Sequence, residues 1–190
     1  MKLLEDRILK DGVIGEGNVL KVNTFVNHQI DVPFISECCK EFKRLYEGEK
    51  ITKILTIEAS GIGIACIAAQ HFGVPVVFAK KNKSSNLPSD VYTSPVKSYT
   101  HGNTYDIIVS KNLLSKDDHV LIIDDFLAMG SALEGLISLI RDAGATIAGA
   151  GIIIEKAYQP GGEMIRSKGI RVESLAKIKS MSVENGVEFC

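Results

Sequence analysis

Tryptophan is absent from the 190 residues, and cysteine occurs only four times, at Cys38, Cys39, Cys66 and Cys190. These four have neither zinc-ligand spacing nor the density of a disulfide scaffold, and the adjacent pair cannot easily bridge. Reduced structural thiols are therefore expected. No apolar run is long enough for a spanning helix. The first ten residues, MKLLEDRILK, alternate charge with apolar groups instead of building a signal peptide. A cytoplasmic protein with no membrane partner is the expectation. An excess of charge is missing as well, with 22 Lys and Arg against 23 Asp and Glu, so nothing directs the chain to nucleic acid. Internal repeats and low-complexity tracts are also absent. What is left, 45% hydrophobic residues over this length, suffices to bury one core in a single domain, 1–190.

Residues 120–132, VLIIDDFLAMGSA, concentrate the chemistry. The short branched run 120–123 reads as a strand buried on both faces. Gly130 and Ser131 open a helix with Leu133, Leu136, Ile137 and Ile140 at i, i+3, i+4 and i+7. Free amides at that helix start suit an anion, while Asp124 and Asp125 just before it would repel a phosphate and suit hydroxyls. The combination describes a ligand with a phosphate beside sugar hydroxyls.

Other segments repeat the strand, loop and helix pattern. A strand over 51–57 runs into Glu58, Ala59, Ser60 and Gly61 before a helix at 64–71, and small residues there let amides approach an anion. The loop lacks the third glycine of a dinucleotide fingerprint and the Gly-Lys-Ser/Thr of a Walker loop. After a strand at 74–79, Lys80, Lys81 and Lys83 stand before a Ser/Asn/Pro-rich stretch, 84–94, whose length suggests a lid. Segments 96–99 and 105–109 fit the arms of a β-flap turning near Gly102 and Asn103. A strand at 146–154 ends in Glu155 and Lys156, and the tail from 163 reads as a short helix with one or two edge strands. At the N-terminus, a helix over 3–10 precedes an irregular or weakly β segment, 13–29, and a further helix is capped by Asp31 with Pro33 in its first turn. The alternation argues for an α/β fold with a mostly parallel central sheet flanked by helices. Ligands bind at the carboxyl ends of strands in such sheets.

The segment 120–132 resembles the signature of the type I phosphoribosyltransferases. The likeness extends over nearly the whole chain and is nearest to the bacterial xanthine phosphoribosyltransferases, in length and in the segments LKVNTFVNHQID and IEKAYQPG. It implies that Asp124 and Asp125 bind the ribose hydroxyls of phosphoribosyl pyrophosphate (PRPP), and that Ala128, Met129, Gly130, Ser131 and Ala132 hold its 5'-phosphate. Glu58, Ala59, Ser60 and Gly61 resemble the pyrophosphate loop. Lys80, Lys81 and Lys83 resemble the start of a flexible loop that closes over PRPP, and Leu20, Asn27 and Lys156 match positions that contact the purine. Also implied are Mg2+ delivered with PRPP and not ligated directly by the protein, a homodimer, and a hood built from about 1–32 and 156–190.

The side-chain chemistry agrees. Lys156 only donates, so it complements a purine carbonyl and opposes the amino group of adenine. Asn27 both donates and accepts, which suits a second carbonyl. Hypoxanthine-guanine enzymes resembling this chain carry an acid where Ala128 stands, and xanthine, the more acidic oxopurine, needs that acid least. Met129 removes a side-chain phosphate donor, leaving amides and Ser131. The expected reaction joins xanthine to the phosphoribosyl group of PRPP, giving xanthosine 5'-monophosphate (XMP) and pyrophosphate in purine salvage. A guanine/hypoxanthine or adenine enzyme and a PRPP-sensing purine regulator are the alternatives. The regulator would need a DNA-binding module, and the residues before Pro33 hold no helix-turn-helix or basic recognition helix.

Overall fold

Apolar residues at helical spacing bury Leu4 and Ile8 in α1 (Lys2–Asp11). Gly17 and Asn18, both at positive φ, then turn the chain between two short strands, β1 (Val13–Gly15) and β2 (Val19–Lys21). Helix α2 (Val32–Leu45) begins at Asp31, whose carboxylate accepts the Phe34 amide. Pro33 fits the first turn because no intrahelical donor is lost there. The elements that follow are β3 (Lys53–Ile57), α3 (Ser60–Phe72), β4 (Val76–Asn82), β5 (Val91–Lys97), β6 (Thr104–Ser110), β7 (His119–Leu127), α4 (Ser131–Asp142), β8 (Thr146–Lys156), α5 (Gly161–Ser167), β9 (Val172–Ser182) and β10 (Gly186–Phe189). This computed structural model describes residues 1–82, 89–97 and 104–190.

Eight strands form one sheet in the order β10-β9-β8-β7-β3-β4-β6-β5. From β9 to β4 neighbouring strands run parallel, whereas β10 and β6 enter antiparallel at the two sides. The α/β architecture with a mostly parallel sheet is therefore as expected. Helices cover both faces. Leu121 and Ile123 point into a cluster with Leu4, Ile35, Phe42 and Ile64 of α1, α2 and α3. Val120 and Ile122 point the other way, into a cluster with Leu133, Leu136 and Ile140 of α4. Burial on both sides explains why β7 shows no polar alternation. Cys38 and Cys39 lie inside the first cluster, and burial pushes both thiols up to about 12. All four cysteines are unpaired. Among the described residues no helix is long and apolar enough to cross a membrane.

The structure differs from the sequence reading at several boundaries. Helix α3 begins at Ser60, inside the small-residue loop, instead of at Ile64. Strand β4 continues through Lys80 and Lys81 because β6 pairs with both, Lys80 opposite Ile108 and Lys81 opposite Ile107. These lysines therefore sit on a strand and not at the start of a loop. Strand β5 already begins at Val91, so part of the expected lid stretch is an ordered hairpin arm. Residues 84–88 of that stretch, Ser98 and Tyr99 of the expected first arm, and the expected turn at Gly102 and Asn103 lie outside the described residues. In the tail, β9 lies between β8 and β10, and only β10 is an edge.

Gly151 on β8 leaves the space that the Phe42 ring fills, since a Cβ there would stand 3.0 Å from two ring carbons. Phe42→Ala should lower the unfolding free energy by about 3–5 kcal/mol, read as a shift of the urea midpoint with the slope unchanged.

Candidate active site

Strand β7 runs on to Leu127, so Asp124 and Asp125 are strand residues, not loop residues. They are 6% and 9% exposed. The Asp125 carboxylate is held at both oxygens: Asn27 Nδ2 donates to Oδ2 at 2.7 Å and the Phe126 amide to Oδ1 at 2.9 Å. Asp124 Oδ1 accepts the Asp125 amide at 3.0 Å. Burial, with a further push from the neighbouring Asp125, holds the Asp124 carboxyl well above the ordinary carboxylate range.

Next in the chain, residues 128–130 bridge β7 to α4. Gly130 adopts a left-handed conformation, φ 89°, at the N-cap of α4, a geometry that glycine tolerates without strain. The loop is seated on α5. The Gly161 amide donates to the Ala128 carbonyl at 3.1 Å. A Cβ on Gly161 would fall 2.3 Å from that oxygen and 2.6 Å from the Gly130 nitrogen. Only glycine permits this approach.

The small-residue loop lies across the neighbouring strand ends. Ala59 and Ser60 join Asn27, His28 and Ile30 around an open cleft of about 490 Å³, and the Glu58–Ala59 peptide is cis. Gly61 is packed so closely that a Cβ would stand 3.1 Å from Asp124 Oδ1. Glu58 accepts the Lys81 amide at 2.6 Å. The Lys81 ammonium lies 5.6 Å from the Tyr105 ring centre, while the Lys80 ammonium lies 6.0 Å from that of Phe78. Lys83 lies outside the described residues.

Lys156 ends β8, half-buried, with its ammonium 6.0 Å from the Phe126 ring centre. Burial lowers its pKa. Behind it, Glu155 is 3% exposed, and Arg166 of α5 grips both of its oxygens at 2.7 Å. Ser174 donates to the same carboxylate. Burial alone would raise the Glu155 carboxyl, but the bonds from Arg166 and Ser174 outweigh it and the net shift is downward.

The structure thus brings Asn27, Asp124, Asp125 and the segment from Glu58 to Gly61 together, with the residues from Ala128 to Ala132 following β7 and Lys156 at the end of β8. Leu20 is apart from the polar groups, 6% exposed within the first core cluster. Tyr105, Phe126 and Ile30 were missed, because single aromatic and apolar residues in strands and loops carry no motif. Among the described residues no group of three or more His, Cys, Asp or Glu could hold a metal ion.

Residues 34–179 match the phosphoribosyl transferase domain model, and the chain belongs to that family. A xanthine phosphoribosyltransferase of Lachnoclostridium phytofermentans is 61% identical over 186 residues, spanning 98% of this chain and 96% of that protein. Another, from Bifidobacterium adolescentis, is 54% identical over 191 residues, spanning 100% and 99%. Among solved structures, the APRTase from Giardia lamblia complexed with 9-deazaadenine superposes with a TM-score of 0.79 at 24% identity, over 93% of this chain and 98% of that one. That likeness shows the fold.

Arg166→Met should destabilise the protein by roughly 3 kcal/mol, because it leaves a buried carboxylate without its partner. In the wild type the Glu155 carboxyl is shifted below its ordinary 4.5, so the pair contributes fully above that pH and fades as pH falls through the lower folded value. Denaturant unfolding of both proteins should therefore show the largest gap at neutral pH, narrowing below pH 4.5.

Proposed function

We propose that the protein transfers the 5-phosphoribosyl group of PRPP to xanthine, forming XMP and pyrophosphate in purine salvage. One observation carries the reading. Two buried carboxylates end β7 directly before the α4 amides, in a chain 61% identical over 98% of its length to a xanthine phosphoribosyltransferase.

Each part of the cleft then has a task. Asp124 and Asp125 hold the ribose hydroxyls, with Asn27 bridging from Asp125 to the base. Ala128, Met129, Gly130, Ser131 and Ala132 surround the 5'-phosphate with free amides and one hydroxyl at the start of α4. Glu58, Ala59, Ser60 and Gly61 receive the pyrophosphate, with Lys81 beside them and Lys80 and Lys83 adding positive charge. Leu20 backs the purine side from within the core. Lys156 donates to an oxopurine carbonyl, an arrangement opposed to adenine's amino group.

Transfer forms a bond from a purine nitrogen to ribose C1 as the C1–O bond to pyrophosphate breaks. Positive charge develops at the sugar, and the carboxylates below it favour that charge. Catalysis is therefore mainly positioning and electrostatics. Ala128 offers no proton acceptor at the base, which favours a purine that loses its proton readily, as xanthine does. Mg2+, delivered with PRPP and not ligated directly by the protein, would supply charge neutralisation on the pyrophosphate. The Asp125 oxygens, each accepting one amide, from Asn27 and from Phe126, keep a second lone pair for a ribose hydroxyl. Residues 1–32 and 156–190 act as a hood over the purine, the β5–β6 hairpin as a flap, and the protein works in the cytoplasm as a homodimer.

Replacing Asp124 and Asp125 together with Asn should abolish XMP formation, a loss of more than about a thousandfold in kcat/KM, while circular dichroism and Tm stay close to wild type. Near-normal turnover in a folded double variant contradicts the assignment.

A further inference from the structure

Thr56 is wholly buried in β3, and its hydroxyl oxygen has no hydrogen-bond partner. Buried hydroxyls are nearly always paired, because leaving one unpaired costs its full desolvation. Valine has the same branched shape without that cost, so packing alone gives no reason for threonine here.

The surroundings of the hydroxyl supply one. A Cβ on Gly61 would stand 2.1 Å from Thr56 Oγ1 and 3.1 Å from Asp124 Oδ1. Hydroxyl and carboxyl therefore converge on a single point, which only a glycine leaves open. Thr56 and Asp124 lie just beyond the paired register of the parallel neighbours β3 and β7, which ends at Leu55 opposite Ile122, and the two side chains meet at Gly61. Asp124 Oδ1 already accepts one amide, and a carboxylate oxygen has a second lone pair to offer. Ionised, Asp124 needs such donors, because its position is otherwise desolvated.

We propose that Thr56 is a positioning residue for Asp124, donating its hydroxyl proton to that carboxylate when PRPP occupies the cleft. The inference rests on the reading of Asp124 as a ribose-binding group. In the free protein the hydroxyl is held unpaired, and in the complex it fixes the carboxylate against the sugar without drawing in water. Purine contacts, made by other residues, are untouched by it.

The test compares wild-type protein with Thr56→Val and Thr56→Ser in the full chain. PRPP binding is measured by calorimetry with Mg2+ and no base, and turnover is measured with PRPP and xanthine. Loss of one hydrogen bond to a charged group predicts that Thr56→Val binds PRPP about tenfold more weakly or loses about tenfold in kcat. The KM for xanthine should stay within twofold, and Tm should be unchanged or higher, since an unpaired buried hydroxyl has been removed. Thr56→Ser should restore binding and kcat. Should the valine methyl crowd Gly61 and prevent folding, Thr56→Ala makes the same comparison. Wild-type PRPP affinity and kcat in the hydroxyl-free variant would overturn the proposal, as would a serine variant impaired as badly as the valine one. A wild-type protein that binds PRPP but leaves xanthine unchanged would instead overturn the base assignment, with calorimetry still deciding Thr56. No PRPP binding by the wild type would overturn both.

Discussion

Asp124 and Asp125 stand at the end of an apolar strand, 6% and 9% exposed, and two adjacent carboxyl groups so placed must be met by donors or remain neutral. Donors come from far along the chain. Asn27, 98 positions away from Asp125, donates its side-chain amide from the segment before α2. The amides of Asp125 and Phe126 fold back to the same carboxyls. Holding these groups in place requires β7 to be rigid, and β7 is rigid because both its faces are buried between helices. The core therefore serves as the scaffold for a polar pair that would be costly to keep in any looser setting.

The same economy governs the loop from Ala128 to Gly130. Gly130 and Gly161 approach each other because neither has a side chain, and the Glu155–Arg166 pair ties α5 to the end of β8. Lys156 follows Glu155 directly, so the lysine and that loop rest on one brace. A change that loosens α5 is felt at both.

The fold was legible where burial wrote a simple pattern. Residues 120–123 and the helix from Ser131 to Asp142 were read correctly because an apolar strand followed by a 3.6-residue period admits few alternatives. Asp31 and Pro33 marked the start of α2 for local reasons that tertiary structure did not override. What escaped was set by partners distant in sequence. Lys80 and Lys81 look like loop residues, yet β6 recruits them into β4. In the site, Asp124, Asp125 and Asn27 were legible through the family signature, and the structure adds the bond between Asn27 and Asp125. The Gly161 seat and the Thr56 hydroxyl were not legible, since a glycine in a turn and a threonine in a strand are ordinary until the neighbours across the sheet are known.

The claim on which the rest depends is that this cleft joins PRPP to an oxopurine, with xanthine preferred. Nucleotide formation measured with PRPP and Mg2+ against xanthine, guanine, hypoxanthine and adenine tests it most directly. The highest kcat/KM should fall to xanthine, with XMP and pyrophosphate appearing in equal amounts, and adenine should be the poorest substrate. Adenine as the best substrate, or no nucleotide from any of the four, would contradict the account.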